Sequence, residues 1–164
     1  MDASHIDPEI RARIGERIVR GPFGEHLDFE LVHLAVDECT VRLPFRPSIA
    51  NGVGVIHGGA ISALVDTSAV GAAWASSDSG PRSRGATVGL NVSYLEPGQT
   101  ADLLGQATVV RRGRAICIVE VDVIDADERH IARGTVTYRL RQARADEPNA
   151  RAVLDDTTSG HDAP

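Results

Sequence analysis

The 164-residue sequence predicts an α+β fold, with a curved antiparallel sheet wrapped around one long helix. Three observations carry this. Residues 58–77 form a run of Ala, Val, Leu, Ile, Gly, Ser and Thr with one Trp and one charged side chain, Asp66. A helix apolar on nearly every face is normally buried. Four strand-like segments follow that run and two precede it. Small residues in the run, Ala63, Gly71, Ala72 and Ala75, give the helix a thin cross-section that a sheet can approach closely.

Along the chain, Asp7-Pro8 reads as an N-cap followed by proline at the first helical position. Ile6, Ile10, Ile14 and Ile18 recur at i+4, so an amphipathic helix is expected over 8–20, stopped by Gly21-Pro22. Strands are expected over 26–36 and 39–45. Pro44, Pro47 and the glycine-rich stretch 52–59 lead into the central helix. Residues 76–84 read as a polar loop. Val88, Leu90, Val92 and Tyr94 then alternate with Thr87, Gly89, Asn91 and Ser93, a period of two. Pro97-Gly98 marks a turn. Strands are expected over 102–111, 115–124 and 131–140, with Arg112-Gly113 and 125–128 as the turns. Cys117, Val119, Val121 and Val123 should share one face, as should Ala132, Gly134, Val136, Tyr138 and Leu140. This divides the chain into a helical segment (1–25), a domain (26–141) and a polar, non-periodic tail (142–164) expected to be mobile.

Composition narrows the function. Apolar residues make up 42% and charged residues 24%, ordinary for a globular protein, and one domain with a real core fits this length. The net charge of −6 argues against binding to nucleic acid or an anionic membrane. All 17 basic residues are arginine, so lysine Schiff-base chemistry is excluded. No run is expected to span a bilayer, and no secretory signal is expected in the polar start. Cys39 and Cys117 are then expected to be reduced thiols in a cytoplasm. No zinc-like spacing occurs, so no metal is expected.

Asp66 is the anomaly. A lone carboxylate in a buried helix is costly unless it is paired, hydrogen-bonded or useful. The helix start offers the complementary chemistry. Amides there lack intrahelical partners, and the dipole favours negative charge. Gly58 and Gly59 have no side chains to block a carbonyl's approach.

Three segments resemble the PaaI-type acyl-CoA thioesterases of the hotdog-fold superfamily. They are N-x5-HGG-x4-LVD, standing as Asn51, His57-Gly58-Gly59 and Leu64-Val65-Asp66; TVGLNVSYLEPG, residues 87–98; and the last hairpins, residues 109–140. Order and spacing agree over residues 26–141. Asp127-Glu128 departs from the pattern at a turn where glycine is common, and Thr87 stands where either hydroxyl residue serves. The resemblance implies a hotdog fold, a homodimer with a continuous sheet, and often a dimer of dimers (a homotetramer). It also implies hydrolysis of acyl-CoA thioesters without metal or redox cofactor, coenzyme A being part of the substrate.

Thioester hydrolysis needs an oxyanion stabiliser and a base or nucleophile. Gly58 is the expected oxyanion donor, and Asp66 the base or nucleophile. His57 and Asn51 are candidates to orient the thioester or a water, with capping and turn formation as their plain structural alternatives. Thr87 is a candidate to position the attacking water. Gly58 and Asp66 are eight residues apart, about 12 Å along a helix, so if both act, Asp66 must come from a second subunit whose helix runs antiparallel. Arg111, Arg112 and Arg114 are candidate contacts for coenzyme A phosphates, or a solvated turn. The competing function is a non-catalytic acyl-CoA-binding module. A hydratase ranks lower because no Asp-x4-His precedes the helix, and a structural oligomer gives the helix acid no purpose.

Overall fold

The computed structural model describes residues 6–76, 79–80 and 82–142; the expected tail lies outside them but for Gln142. α1 (Pro8–Arg13) starts as the sequence implies, with Asp7 Oδ1 accepting the Glu9 amide at 2.7 Å and proline in the first turn. The chain then winds as a π-helix over Ile14–Val19. This changes the expected stripe. A π turn closes at i+5, so Val19 follows Ile14 into the core and Ile18 is left partly exposed. Gly21-Pro22 stops this helix and also begins another, α2 (Pro22–His26), where a strand was expected from residue 26. Asp28 at φ 53 ends that turn, and β1 begins only at Glu30.

β1 (Glu30–Ala35) and β2 (Glu38–Leu43) form a hairpin. A short 3-10 turn, Pro47–Ile49, leads to α3 (Gly58–Trp74), three residues shorter than expected at its C-terminus. β3 (Ser83–Tyr94), β4 (Leu103–Arg112), β5 (Ile116–Asp125) and β6 (His130–Gln142) complete one antiparallel sheet in the order β1-β2-β4-β5-β6-β3. Consecutive strands β3 and β4 are therefore not neighbours. β3 pairs with β6, and residues 95–102 cross back over the start of α3. The Ile56 amide donates to the Gly98 carbonyl at 2.9 Å, so the Pro97-Gly98 turn pins the approach to α3 rather than closing a hairpin.

The concave face of the sheet holds α3. Cys117, Val119, Val121 and Val123 are buried, as are Ala132, Gly134, Val136 and Tyr138, with Leu140 at the margin. Contact is close because both partners are small. A Cβ on Gly105 would lie 2.5 Å from Ser68 Oγ, and one on Gly71 would lie 2.5 Å from Cys39 Sγ. α3 is not enclosed on every side, however. Ser62, Ala63, Asp66, Thr67 and Val70 form a stripe at helical spacing that is only half-buried. The stripe adjoins β3, which is a free sheet edge and exposes Val88, Leu90 and Tyr94. Among the described residues no helix is long and apolar enough to cross a membrane.

Candidate active site

The start of α3 is built by its own cap. His57 adopts extended backbone (ψ 134), and its Nδ1 accepts the Gly59 amide at 2.9 Å. That bond requires Nδ1 to be unprotonated. It also explains Gly59, where a Cβ would sit 3.0 Å from the imidazole. His57 thus caps the helix. The Gly58 amide meets no acceptor among the described residues, and its position at the helix start excludes an intrahelical one. Gly58 is half-buried and holds the one orphan donor of this turn that no side chain or backbone group satisfies.

Tyr94 steadies the same turn. Its hydroxyl donates to the Gly58 carbonyl at 3.0 Å and lies 2.6 Å from Ser62 Oγ, with its ring against Gly58. Trp74, at the far end of α3, lies in the core, its indole N–H donating to Tyr138 Oη at 2.9 Å and its ring 5.3 Å from the Arg13 guanidinium.

Asn51 shapes the approach loop. Its Oδ1 accepts the amides of Val53 (3.0 Å) and Val55 (3.3 Å), and its own amide donates to the Val55 carbonyl. This is the turn-forming role, with the side-chain NH2 left over as a donor.

Asp66 and Thr87 are brought together. Thr87 Oγ1 donates to Asp66 Oδ1 at 2.7 Å. A β-bulge makes this possible. Thr87 stands opposite Tyr138, and Gly89 opposite Thr137, so Val88 is the extra residue. Leu90, Val92 and Tyr94 oppose Val136, Gly134 and Ala132, the helix-facing side of β6. Strict alternation would have put Thr87 on the outer face, away from those three. The bulge turns it back toward α3. Asp66 is half-buried rather than fully buried, because the β3 margin leaves its stripe partly open.

The arginine cluster divides. Arg112 Nε donates to Asp37 Oδ1 at 2.9 Å and its Nη1 donates to the Ala73 carbonyl at 3.0 Å. It therefore caps the C-terminus of α3 and is spent on the fold. Arg111 and Arg114 are exposed at the same hairpin. All three lie at the end of α3 opposite Gly58. Cys39 and Cys117 are free and buried. Burial pushes the Cys39 thiol up to about 12 and raises that of Cys117 less, since the Arg112 guanidinium opposes it. Neither is a nucleophile at neutral pH. Among the described residues no group of acidic, His and Cys side chains could hold a metal ion.

A six-stranded antiparallel sheet curled on one helix, whose capped start offers an open amide and whose flank carries a hydroxyl-bonded carboxylate, defines a hotdog-fold protein. Comparison with known proteins agrees: residues 53–132 match the thioesterase superfamily, and the chain belongs to that superfamily. A Halobacterium salinarum relative named "Putative esterase" is 32% identical over 63% of this chain and 74% of its own. A medium/long-chain acyl-CoA thioesterase of Escherichia coli is 24% identical over 77% of this chain and 91% of its own. The solved structure of a mutant of the phenylacetic acid degradation protein PaaI from Thermus thermophilus superposes with a TM-score of 0.65 at 26% identity, covering 73% of this chain and 98% of that one.

Proposed function

We propose that this chain is a homodimeric acyl-CoA thioesterase whose sites each combine the helix start of one protomer with Asp66 of the other. The carrying observation is a complementary pair of unfinished surfaces. Among the described residues the Gly58 amide has no partner, and the Asp66–Thr87 pair lies about 12 Å along the same helix, too far to act on one carbonyl. Both adjoin the unpaired edge of β3, a long strand with exposed Val88 and Leu90. Such an edge is a template for pairing, and a two-fold dimer presents the same strand from each subunit. With the axis crossing β3 near Leu90–Asn91, the Tyr94–Gly58 end of one subunit meets the Thr87–Asp66 end of the other.

In this arrangement the thioester carbonyl accepts from the Gly58 amide. Asp66 of the partner subunit takes a proton from water, with Thr87 holding one carboxylate oxygen and leaving the other free. Hydroxide adds to the carbonyl carbon, the oxyanion collapses, the C–S bond breaks, and the coenzyme A thiolate leaves and is protonated. Direct attack by Asp66 would give a mixed anhydride instead. A rapidly quenched single turnover separates the two: the nucleophile route leaves the acyl group on Asp66, seen as added mass, and the base route leaves the protein unmodified.

Arg111 and Arg114 remain as phosphate contacts, supplied from the partner's hairpin beyond its Asp66. The superfamily membership and the two free, buried thiols support a cytoplasmic hydrolase with no cofactor besides the substrate's own coenzyme A. A further pairing into a tetramer rests on the resemblance and on exposed Val110 and Ile116 beside the β4–β5 turn. The test is thiol release from acyl-CoA esters alongside light scattering. Hydrolysis by a dimer or tetramer supports the reading. Binding of the esters without thiol release contradicts it and leaves a binding module.

A further inference from the structure

Beside the helix start lies a cavity of about 250 Å³ that the hydrolytic groups do not explain. Its walls come from three places. Phe23 of α2, Leu27 just after it, Ile49 of the 3-10 segment and Ala60 of α3 supply the apolar part, His26, Arg46 and Ser48 supply a polar part, and His57 and Gly59 are shared between the cavity and the capped turn. Leu27, Ile49 and Ala60 are almost fully buried and make an apolar floor. Phe23 is 63% exposed, a large aromatic side chain that the core does not use. The walls are tied together. Arg46 Nη1 pairs with Asp28 at 2.6 Å, and Nη2 donates to the His26 carbonyl, so the end of α2 is fastened to the segment that precedes α3.

We propose that this cavity receives the acyl group and that Phe23 and Leu27 set a preference for compact acyl groups, a single ring or a short chain. The inference rests on the thioesterase reading, because the carbonyl must sit on Gly58 for the acyl group to enter here. Size decides the class. An apolar cavity of about 150 Å³ holds one benzene, so 250 Å³ accommodates a ring with one or two further atoms, or a chain of similar volume. The pocket is open at its mouth, so carbons of a long fatty chain beyond this volume run out into solvent and gain no further burial. α2 is the element most responsible, and it lies outside the matched residues 53–132.

The test uses coenzyme A thioethers, which cannot be hydrolysed, carrying methyl, hexyl, 2-phenylethyl or hexadecyl groups, with binding to the full chain read by calorimetry. Wild type should bind the hexyl and phenylethyl ethers about 10–100-fold tighter than the methyl ether, from the apolar area buried. The hexadecyl ether should gain nothing further. Phe23→Ala should weaken the phenylethyl ether about tenfold and leave the methyl ether unchanged, with its melting temperature intact because the ring is exposed. Ala60→Leu, which fills the floor, should abolish the advantage of the larger groups. Equal binding of all four ethers, tightest binding of hexadecyl, or parallel loss of methyl and phenylethyl binding in Phe23→Ala would overturn the assignment. Thioester hydrolysis by wild type is measured in parallel. Discrimination without hydrolysis sinks the enzyme reading and keeps the cavity; hydrolysis without discrimination does the reverse.

Discussion

At the scale of single residues, Gly58 is the sharpest handle. It occupies the first helical position, where proline is tolerated because the amide is unpaired anyway. The preceding His57 has ψ 134, the extended backbone that a following proline requires. Gly58→Pro should therefore keep the fold while removing the oxyanion donor, and kcat should fall about 10²–10³-fold; steady-state kinetics beside a melting curve reads both. Thr87 offers a second handle. Thr87→Val deletes the 2.7 Å bond to Asp66 and should lower kcat about 10–100-fold, while Thr87→Ser retains most activity. Cys39 has consequences for assay and for pH. Its raised pKa keeps it protonated through pH 9, so the folded protein should not react with thiol reagents at pH 8. The folded state holds this proton more tightly than the unfolded chain, so the contribution is intact below the ordinary value of 9.0 and is lost as pH climbs toward 12. Denaturant midpoints measured across that window should fall, and Cys39→Ala should flatten the fall.

At the scale of elements, close packing between α3 and the sheet makes small residues indispensable on both sides. A Cβ on Gly134 would lie 2.4 Å from Val65 Cγ1, so Gly134→Ala should destabilise by about 1–3 kcal/mol in urea unfolding. Arg112→Ala strips the Asp37 pair and the cap on the Ala73 carbonyl. It should cost about 1–3 kcal/mol and leave KM for coenzyme A esters unchanged, because this arginine is spent on the fold. The central helix, its histidine cap and the strand faces were legible in the sequence, since apolar periodicity and a polar-free run report burial directly. The π turn was not. Ile14 and Ile18 keep a perfect i+4 spacing, and only packing against α3 selects Val19. The Val88 bulge was invisible for the same reason: β3 alternates without a break, while pairing with β6 inserts the extra residue that turns Thr87 inward. α2 was hidden because Gly21-Pro22 reads equally as the end of one helix and the start of the next. The division of labour among three adjacent arginines depends on Asp37, 75 residues from Arg112, a separation that no local pattern records.

At the scale of the whole molecule, the free chain looks unfinished along one side. The half-buried stripe of α3, the exposed edge of β3 and the open amide of Gly58 lie together, and a two-fold partner would cover all three. Beyond the Tyr94 end of β3, where the Leu95 amide donates to the Ile131 carbonyl, the β5–β6 turn is closed by Asp125. Burial pushes its carboxyl up, but the Arg129 guanidinium and the amides of Arg129 and Asp127 outweigh this and hold it below the ordinary carboxylate value. A depressed folded pKa contributes stability above the ordinary value of 3.8 that is lost as pH falls through the folded one. Acid unfolding of wild type should therefore show a step below pH 4 that Asp125→Asn lacks. Mixing two dead variants shows whether each site spans two subunits. Asp66→Asn and Gly58→Pro homodimers should each have lost at least about 10²-fold in turnover. After subunit exchange at equal amounts, half the dimers are mixed and each carries one intact composite site, so activity should recover to about a quarter of wild type. If the mixture stays as inactive as its parents while exchange is verified by mass, Gly58 and Asp66 do not act across the interface, and the account is wrong.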